Sequence, residues 1–78
     1  MVYLTGVVVT VRESGVTVNV AEGGGRCNIF VRVDHDTQWL CDRVWSGHRV
    51  RIACDARWRK SDNNSFSLSF LAKKIEVK

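Results

Sequence analysis

The chain has 78 residues, with 12 Lys+Arg against 8 Asp+Glu, a formal net charge of +4, no proline and three cysteines. That length allows one domain with one modest core, burying roughly 60% of the unfolded chain's surface, and excludes multi-domain enzymes and any separate cofactor domain. With 45% hydrophobic and 26% charged residues the composition is far from that of disordered chains, and the abundance of valine favours strands.

No stretch approaches the ~18 uninterrupted apolar residues of a membrane span. The start Met1-Val2-Tyr3-Leu4-Thr5-Gly6 lacks the basic and apolar regions of a signal peptide, so a cytoplasmic protein with no membrane partner is expected. Cys27, Cys41 and Cys54 are odd in number and widely spaced, which is no disulfide framework.

In chain order, Val2 to Arg12 reads as a β-branched strand with Gly6 marking a bulge or sharp bend. Glu13-Ser14-Gly15 gives a turn, and Val16-Thr17-Val18-Asn19-Val20 alternates strictly, as a half-buried strand does. Glu22-Gly23-Gly24-Gly25 reads as a hairpin loop. From Arg26 to Asp34 the alternation resumes, with Cys27, Ile29, Val31 and Val33 toward the core and Arg26, Asn28, Phe30, Arg32 and Asp34 on the other face.

Asp36 to Trp45 breaks the pattern and reads as one short helix capped by Asp36 or Thr37, with Leu40 and Val44 four apart. Trp39 and Trp45 are expected to plug the bottom of the fold. His48 to Arg59 alternates again, placing Val50, Ile52, Cys54 and Ala56 inward and Arg49, Arg51, Asp55, Arg57 and Arg59 outward. After a polar loop over Lys60–Ser65, a last strand runs from Phe66 to Val77, with Lys73-Lys74 as a solvated bulge or edge protection.

The order β-β-β-α-β-β in under 80 residues is that of the all-β, five-stranded OB-fold Greek-key barrel. One such domain over residues 1–78 is expected. An SH3-like barrel is the main competitor, and it does not readily use a helix at Asp36–Trp45.

The helix with Ser46-Gly47-His48-Arg49-Val50-Arg51-Ile52, the basic aromatic strand end Arg57-Trp58-Arg59-Lys60, the polar loop and the strand Phe66 to Val77 resemble the second half of bacterial-type single-stranded DNA-binding proteins. Their primosomal relatives share the layout, and cold-shock proteins and translation initiation factors have a shorter version. The resemblance implies an OB barrel that binds single-stranded nucleic acid. The chain departs from those proteins by ending Lys73-Lys74-Ile75-Glu76-Val77-Lys78 in place of an acidic tail, so partner recruitment through such a tail is not expected.

OB-folds meet oligonucleotides with their second and third strands and the loops after strands one and four. Single-strand binders combine a cationic groove with aromatic rings on which bases stack, each worth ~1–3 kcal/mol. On that geometry Arg12, Arg26, Arg32, Arg57, Arg59 and Lys60 are the candidate phosphate contacts. Phe30 and Trp58 are the candidate stacking rings, and Asn19 and Asn28 the hydrogen-bonding amides. Against each stands a plainer reading: Phe30 as an oligomer contact or a ring covered by a loop, Trp58 as a cap on the barrel end in phase with Ala56, the arginines as solvated strand residues.

Metal binding is not supported, since Cys27, Cys41, Cys54, His35 and His48 form no Cys-x-x-Cys and no paired His spacing. Asp34-His35-Asp36 offers no nucleophile and reads as a turn, and Gly23-Gly24-Gly25 lacks the Lys-Ser/Thr of a phosphate-binding loop. No cofactor and no catalytic residue is expected. The expected partner is single-stranded nucleic acid, DNA over RNA. The alternatives are an OB-fold protein-interaction subunit with a protein partner or a homodimer, and a binder of structured or ribosomal RNA.

Overall fold

The computed structural model describes residues 1–22 and 25–78. Five strands, β1 (Val2–Arg12), β2 (Gly15–Glu22), β3 (Gly25–Arg32), β4 (Arg49–Lys60) and β5 (Phe66–Val77), close into a barrel in the order β1-β2-β3-β5-β4. Every pairing is antiparallel except the closing one, where β3 meets β5 in parallel at Val31↔Phe70 and Arg32↔Leu71. This is the expected OB barrel. The hairpin loop expected at Glu22–Gly25 includes Gly23 and Gly24, which lie outside the described residues.

Closure depends on β1 serving two partners. Val2–Val7 pair with β4 and Val7–Arg12 with β2, so the strand must coil sharply at its middle. Gly6 sits at that change of partner, where any Cβ would collide with the Asn19 carbonyl and with a Val18 methyl 2.8 Å away. The register shift falls beyond it, between Val8 and Thr10, so the bulged residue is Val9 and Gly6 supplies the close approach. Gly47, at φ +93°, makes the left-handed turn into β4, and its N–H donates to the Val8 carbonyl at 2.8 Å. A second bulge is read from β5, since Ala53 faces Lys74 but Cys54 faces Ala72, leaving Lys73 unpaired as the sequence suggests.

The core is the inward set of the alternating strands: Val8, Val16, Val18, Val31, Val50, Ile52 and Cys54 are fully buried. A 3-10 helix, Gln38–Arg43, closes one end with Leu40 and Cys41, followed by Val44. It is shorter than the expected Asp36–Trp45, and Thr37 makes no side-chain cap. Asp34 organises the approach instead. Its carboxylate accepts from the Thr37 hydroxyl at 2.9 Å and from the Asp36 and Thr37 N–H groups at 3.0 Å, while its own N–H donates to Thr37 Oγ1.

Three inward expectations fail for related reasons. Trp39 and Trp45 are exposed rather than plugging the barrel, because the smaller Leu40, Cys41 and Val44 already fill its mouth. Cys27 keeps the core phase but is exposed, because β3 has only β2 beside it there and meets β5 only at Val31 and Arg32. Ala56 and Trp58 keep the phase of Val50 and Ile52 yet are exposed, because β4 loses β1 after Cys54 and continues beside β5 alone.

Candidate nucleic-acid interface

The outer face of β2 and β3 is built in cross-strand rows. Arg12, Gly15 and Arg32 form one row across β1, β2 and β3, and the β3–β5 and β5–β4 pairings extend it to Leu71 and Asp55. The next row is Thr10, Thr17 and Phe30, followed by Asn19 with Asn28 and then Ala21 with Arg26. Period-two alternation places every one of these side chains on the side opposite the valine core.

Phe30 does not stand free on this face. A Cβ built on Gly15 would lie 2.8 Å from Phe30 Cζ, so the ring leans diagonally across the glycine and covers its backbone. One side of the ring is thus seated on the sheet while the residue stays 40% exposed. That is the posture of a stacking platform, fixed from behind and open in front. Asn19 Nδ2 donates to Asn28 Oδ1 at 2.8 Å, which ties the two exposed amides together and leaves Asn28 Nδ2 and Asn19 Oδ1 outside that bond.

Beyond the barrel, β4 and β5 continue as a two-stranded arm, turned by Ser61–Ser65. The turn is held by the Ser61 N–H to the Ser65 carbonyl at 2.7 Å, by the Ser61 hydroxyl to Asn63 Oδ1, and by Asn64 in the left-handed region at φ 64°. One face of the arm carries Arg57 and Arg59 opposite Ser69 and Ser67. The other carries Trp58 opposite Leu68 and Lys60 opposite Phe66. Trp58 is 71% and Phe66 66% exposed.

Where the root of the arm meets the end of β3, Arg32, Arg57, Trp58 and Arg59 line a cavity of about 370 Å3 together with Asp34, Ser69 and Leu71. Four of the ten sequence-predicted residues therefore converge on one cleft, and Phe30 lies two positions before Arg32 on the same strand. The other five are dispersed around it. The Asn19–Asn28 pair sits further along the face, Arg26 lies toward the end of the β2–β3 hairpin beside Cys27, and Lys60 is at the end of the arm. Arg12 lines a separate polar cavity with Glu13, His35, Gln38 and Trp39.

Among the described residues the ion pairs involve Lys73 with Asp55 at 3.8 Å and Lys74 and Lys78 with Glu76, and none uses Arg32, Arg57, Arg59 or Lys60. Asp34 is the acid within the cleft. The Thr37 hydroxyl, then the backbone N–H groups of Thr37 and Asp36, and the charge of Lys73 hold its carboxyl below the usual aspartate range. Arg49 and Arg51 lie on the β1–β4 face, where Arg51 covers the Tyr3 ring at 4.5 Å. Burial pushes the Cys41 and Cys54 thiols up, which disfavours the thiolate form.

Sequence reasoning missed the apolar side of the arm. Phe66 and Leu68 alternate with serines just as core residues would, and only the absence of a third strand exposes them.

No protein-family model matches the chain, and no curated protein matches it in sequence. Among solved structures, the crystal structure of the mitochondrial single-stranded DNA-binding protein Rim1 from S. cerevisiae aligns with a TM-score of 0.73 at 19% identity, over 97% of this chain and 90% of that one. The fold is similar to that of Rim1. Two further Rim1 structures align at TM-scores of 0.68 and 0.67 and identities of 17% and 18%, again over 97% of this chain and over 91% and 89% of theirs. The likeness runs from end to end of the barrel and shows the expected resemblance at the level of fold. Among the described residues no helix is long and apolar enough to cross a membrane.

Proposed function

We propose that the chain binds single-stranded nucleic acid, DNA in preference to RNA, and does so without catalysing a reaction on it. The observation that carries this reading is the cleft where Arg32, Arg57, Trp58 and Arg59 come together beside a seated Phe30. Phosphates lie along Arg12, Arg26, Arg32, Arg57, Arg59 and Lys60, bases stack on Phe30 and Trp58, and the Asn19–Asn28 pair hydrogen-bonds to bases or backbone. Rim1, whose name records single-stranded DNA binding, supports DNA as the ligand.

Magnitudes fix the character of the binding. Two stacked bases contribute at most ~6 kcal/mol, short of the ~8 kcal/mol of a micromolar complex, so phosphate contacts must supply the remainder. The interaction is therefore moderate and salt-sensitive. Competition among oligo-dT, oligo-rU and a duplex of equal length tests it: oligo-dT displaces best, and a duplex that competes equally well rules out single-strand recognition.

A separate observation favours self-association as a second reading. Tyr3, Val7 and Val9 expose an apolar stripe along the outer face of β1, which a second copy of the chain would cover. Light scattering distinguishes a dimer that Val7→Asp dissociates from a monomer that it leaves unchanged.

A further inference from the structure

A second concavity is more voluminous than the cleft. It lies between the 3-10 helix and the C-terminal half of β5 and encloses about 860 Å3. Its walls carry Trp39 and Trp45, 52% and 60% exposed, with Arg43, Lys73 and Lys74 against the single carboxylate of Asp42. Each indole is backed on one side: the Arg43 guanidinium lies 5.3 Å from the Trp39 ring centroid, and His48 packs against Trp45 at 4.4 Å. The pattern repeats that of Phe30, a ring fixed from behind and open in front, with cations beside it.

Groove and cleft share a wall. Ser69 and Leu71 of β5 line the cleft, and Lys73 and Lys74 of the same strand line the groove, about 7 Å further on at ~3.4 Å per residue. The bulge at Lys73 lets two successive lysines reach the groove, and Lys73 is tied at 3.8 Å to Asp55, the register partner of Leu71. Lys73 and Lys74, the latter paired with Glu76 at 3.4 Å, thus line the way from one set of exposed rings to the other.

We propose that this groove is a second stacking subsite. A single strand long enough to leave the cleft continues along β5 past Lys73 and lays bases on Trp39 and Trp45. The occupant is nucleic acid because its repeating unit matches both features of the groove, a flat ring for each indole and an anion for Arg43, Lys73 and Lys74. The inference rests on the reading of the cleft as a single-strand site.

The test is the affinity of wild-type protein and the Trp39→Ala/Trp45→Ala variant for labelled oligo-dT of two lengths, about four and about sixteen nucleotides, the limits of site size for one OB-fold. On the short strand the two proteins bind alike, and on the long strand the variant is weaker by about tenfold or more. Because Trp45 packs on His48, circular dichroism checks the fold of the variant. Photocrosslinking of bromodeoxyuridine-containing strands to the wild-type protein gives an independent reading, with Trp39 and Trp45 labelled by the long strand only.

Equal affinities of variant and wild type at both lengths, with no crosslink to either indole, overturn the proposal and leave the cleft intact. Protection of Trp39 and Trp45 by an acidic aromatic peptide, but not by the long strand, makes the groove a protein dock and overturns it as well. Wild-type protein that binds neither length removes the cleft reading itself, a result distinct from the other two.

Discussion

Between Arg49 and Cys54, β4 lies between β1 and β5, and its inward residues Val50, Ile52 and Cys54 are completely buried. From Ala56 to Lys60 the same strand, on the same phase, has only β5 beside it, and Trp58 stands largely in solvent. The two regions share one alternation and differ only in the presence of a third strand. Side-chain phase says which residues share a face, and coverage by neighbouring elements says whether that face is core. The barrel buries its face, and the arm leaves the same face open to solvent.

Substitution in each region tests that division. Ile52→Ala opens a cavity in the sealed barrel and costs about 2–5 kcal/mol, lowering the melting temperature by on the order of 10 °C or more. Trp58→Ala changes stability by no more than about 0.5 kcal/mol, because the indole packs little. Equal losses in urea melts of the two variants would show that the arm is packed and the comparison mistaken.

In binding the order reverses. Trp58→Ala weakens the single-strand complex by about 5- to 150-fold, the equivalent of one lost stack, and Phe30→Ala acts similarly while the barrel stays folded. An unchanged affinity for Phe30→Ala reduces that ring to a cover for Gly15. Smaller still is the effect of charge. Arg57→Gln with Arg59→Gln reduces the magnitude of the log–log salt slope by about 1.4, two phosphates at ~0.7 each, whereas Arg49→Gln with Arg51→Gln, on the β1–β4 face, leaves it unchanged.

The smallest expected effect concerns pH. The Asp34 carboxyl is depressed in the folded chain, so its contribution to stability is complete above the ordinary aspartate value and is lost as the pH falls through the lower folded value. Thermal melts between about pH 5 and pH 3 should therefore fall more steeply for the wild type than for Asp34→Asn. Parallel curves would show that the Asp34–Thr37 turn adds nothing.

The barrel was legible in the sequence because its information is local. Val16–Val20 alternates without interruption, Val50, Ile52 and Cys54 keep one phase, Glu13-Ser14 turns between two strands, and Gly6 marks the bend of β1. The outer row of Arg32 and Phe30 follows from the same alternation. What the sequence could not give is non-local. Nothing near Cys27 or Trp58 announces that a covering strand has ended, and nothing near Trp39 and Trp45 says that Leu40, Cys41 and Val44 suffice to close the barrel mouth. The convergence of Arg32 with Arg57 and Arg59, some 25 residues later, depends on the parallel β3–β5 closure, and no local pattern encodes it. Asp34 as the organiser of the turn was hidden because Asp36 and Thr37 offer the same chemistry two and three residues on.

The central claim is that the cationic cleft at the root of the arm binds a single strand by stacking on its rings together with salt-sensitive phosphate contacts. Quenching of tryptophan fluorescence by oligo-dT, titrated at several salt concentrations, tests it most directly. The account predicts clear quenching at low salt and a log–log slope that steepens by about 0.7 per engaged phosphate, reaching about −4 if all six cations take part. No quenching and no gel shift at low salt, or an affinity indifferent to salt, would contradict it.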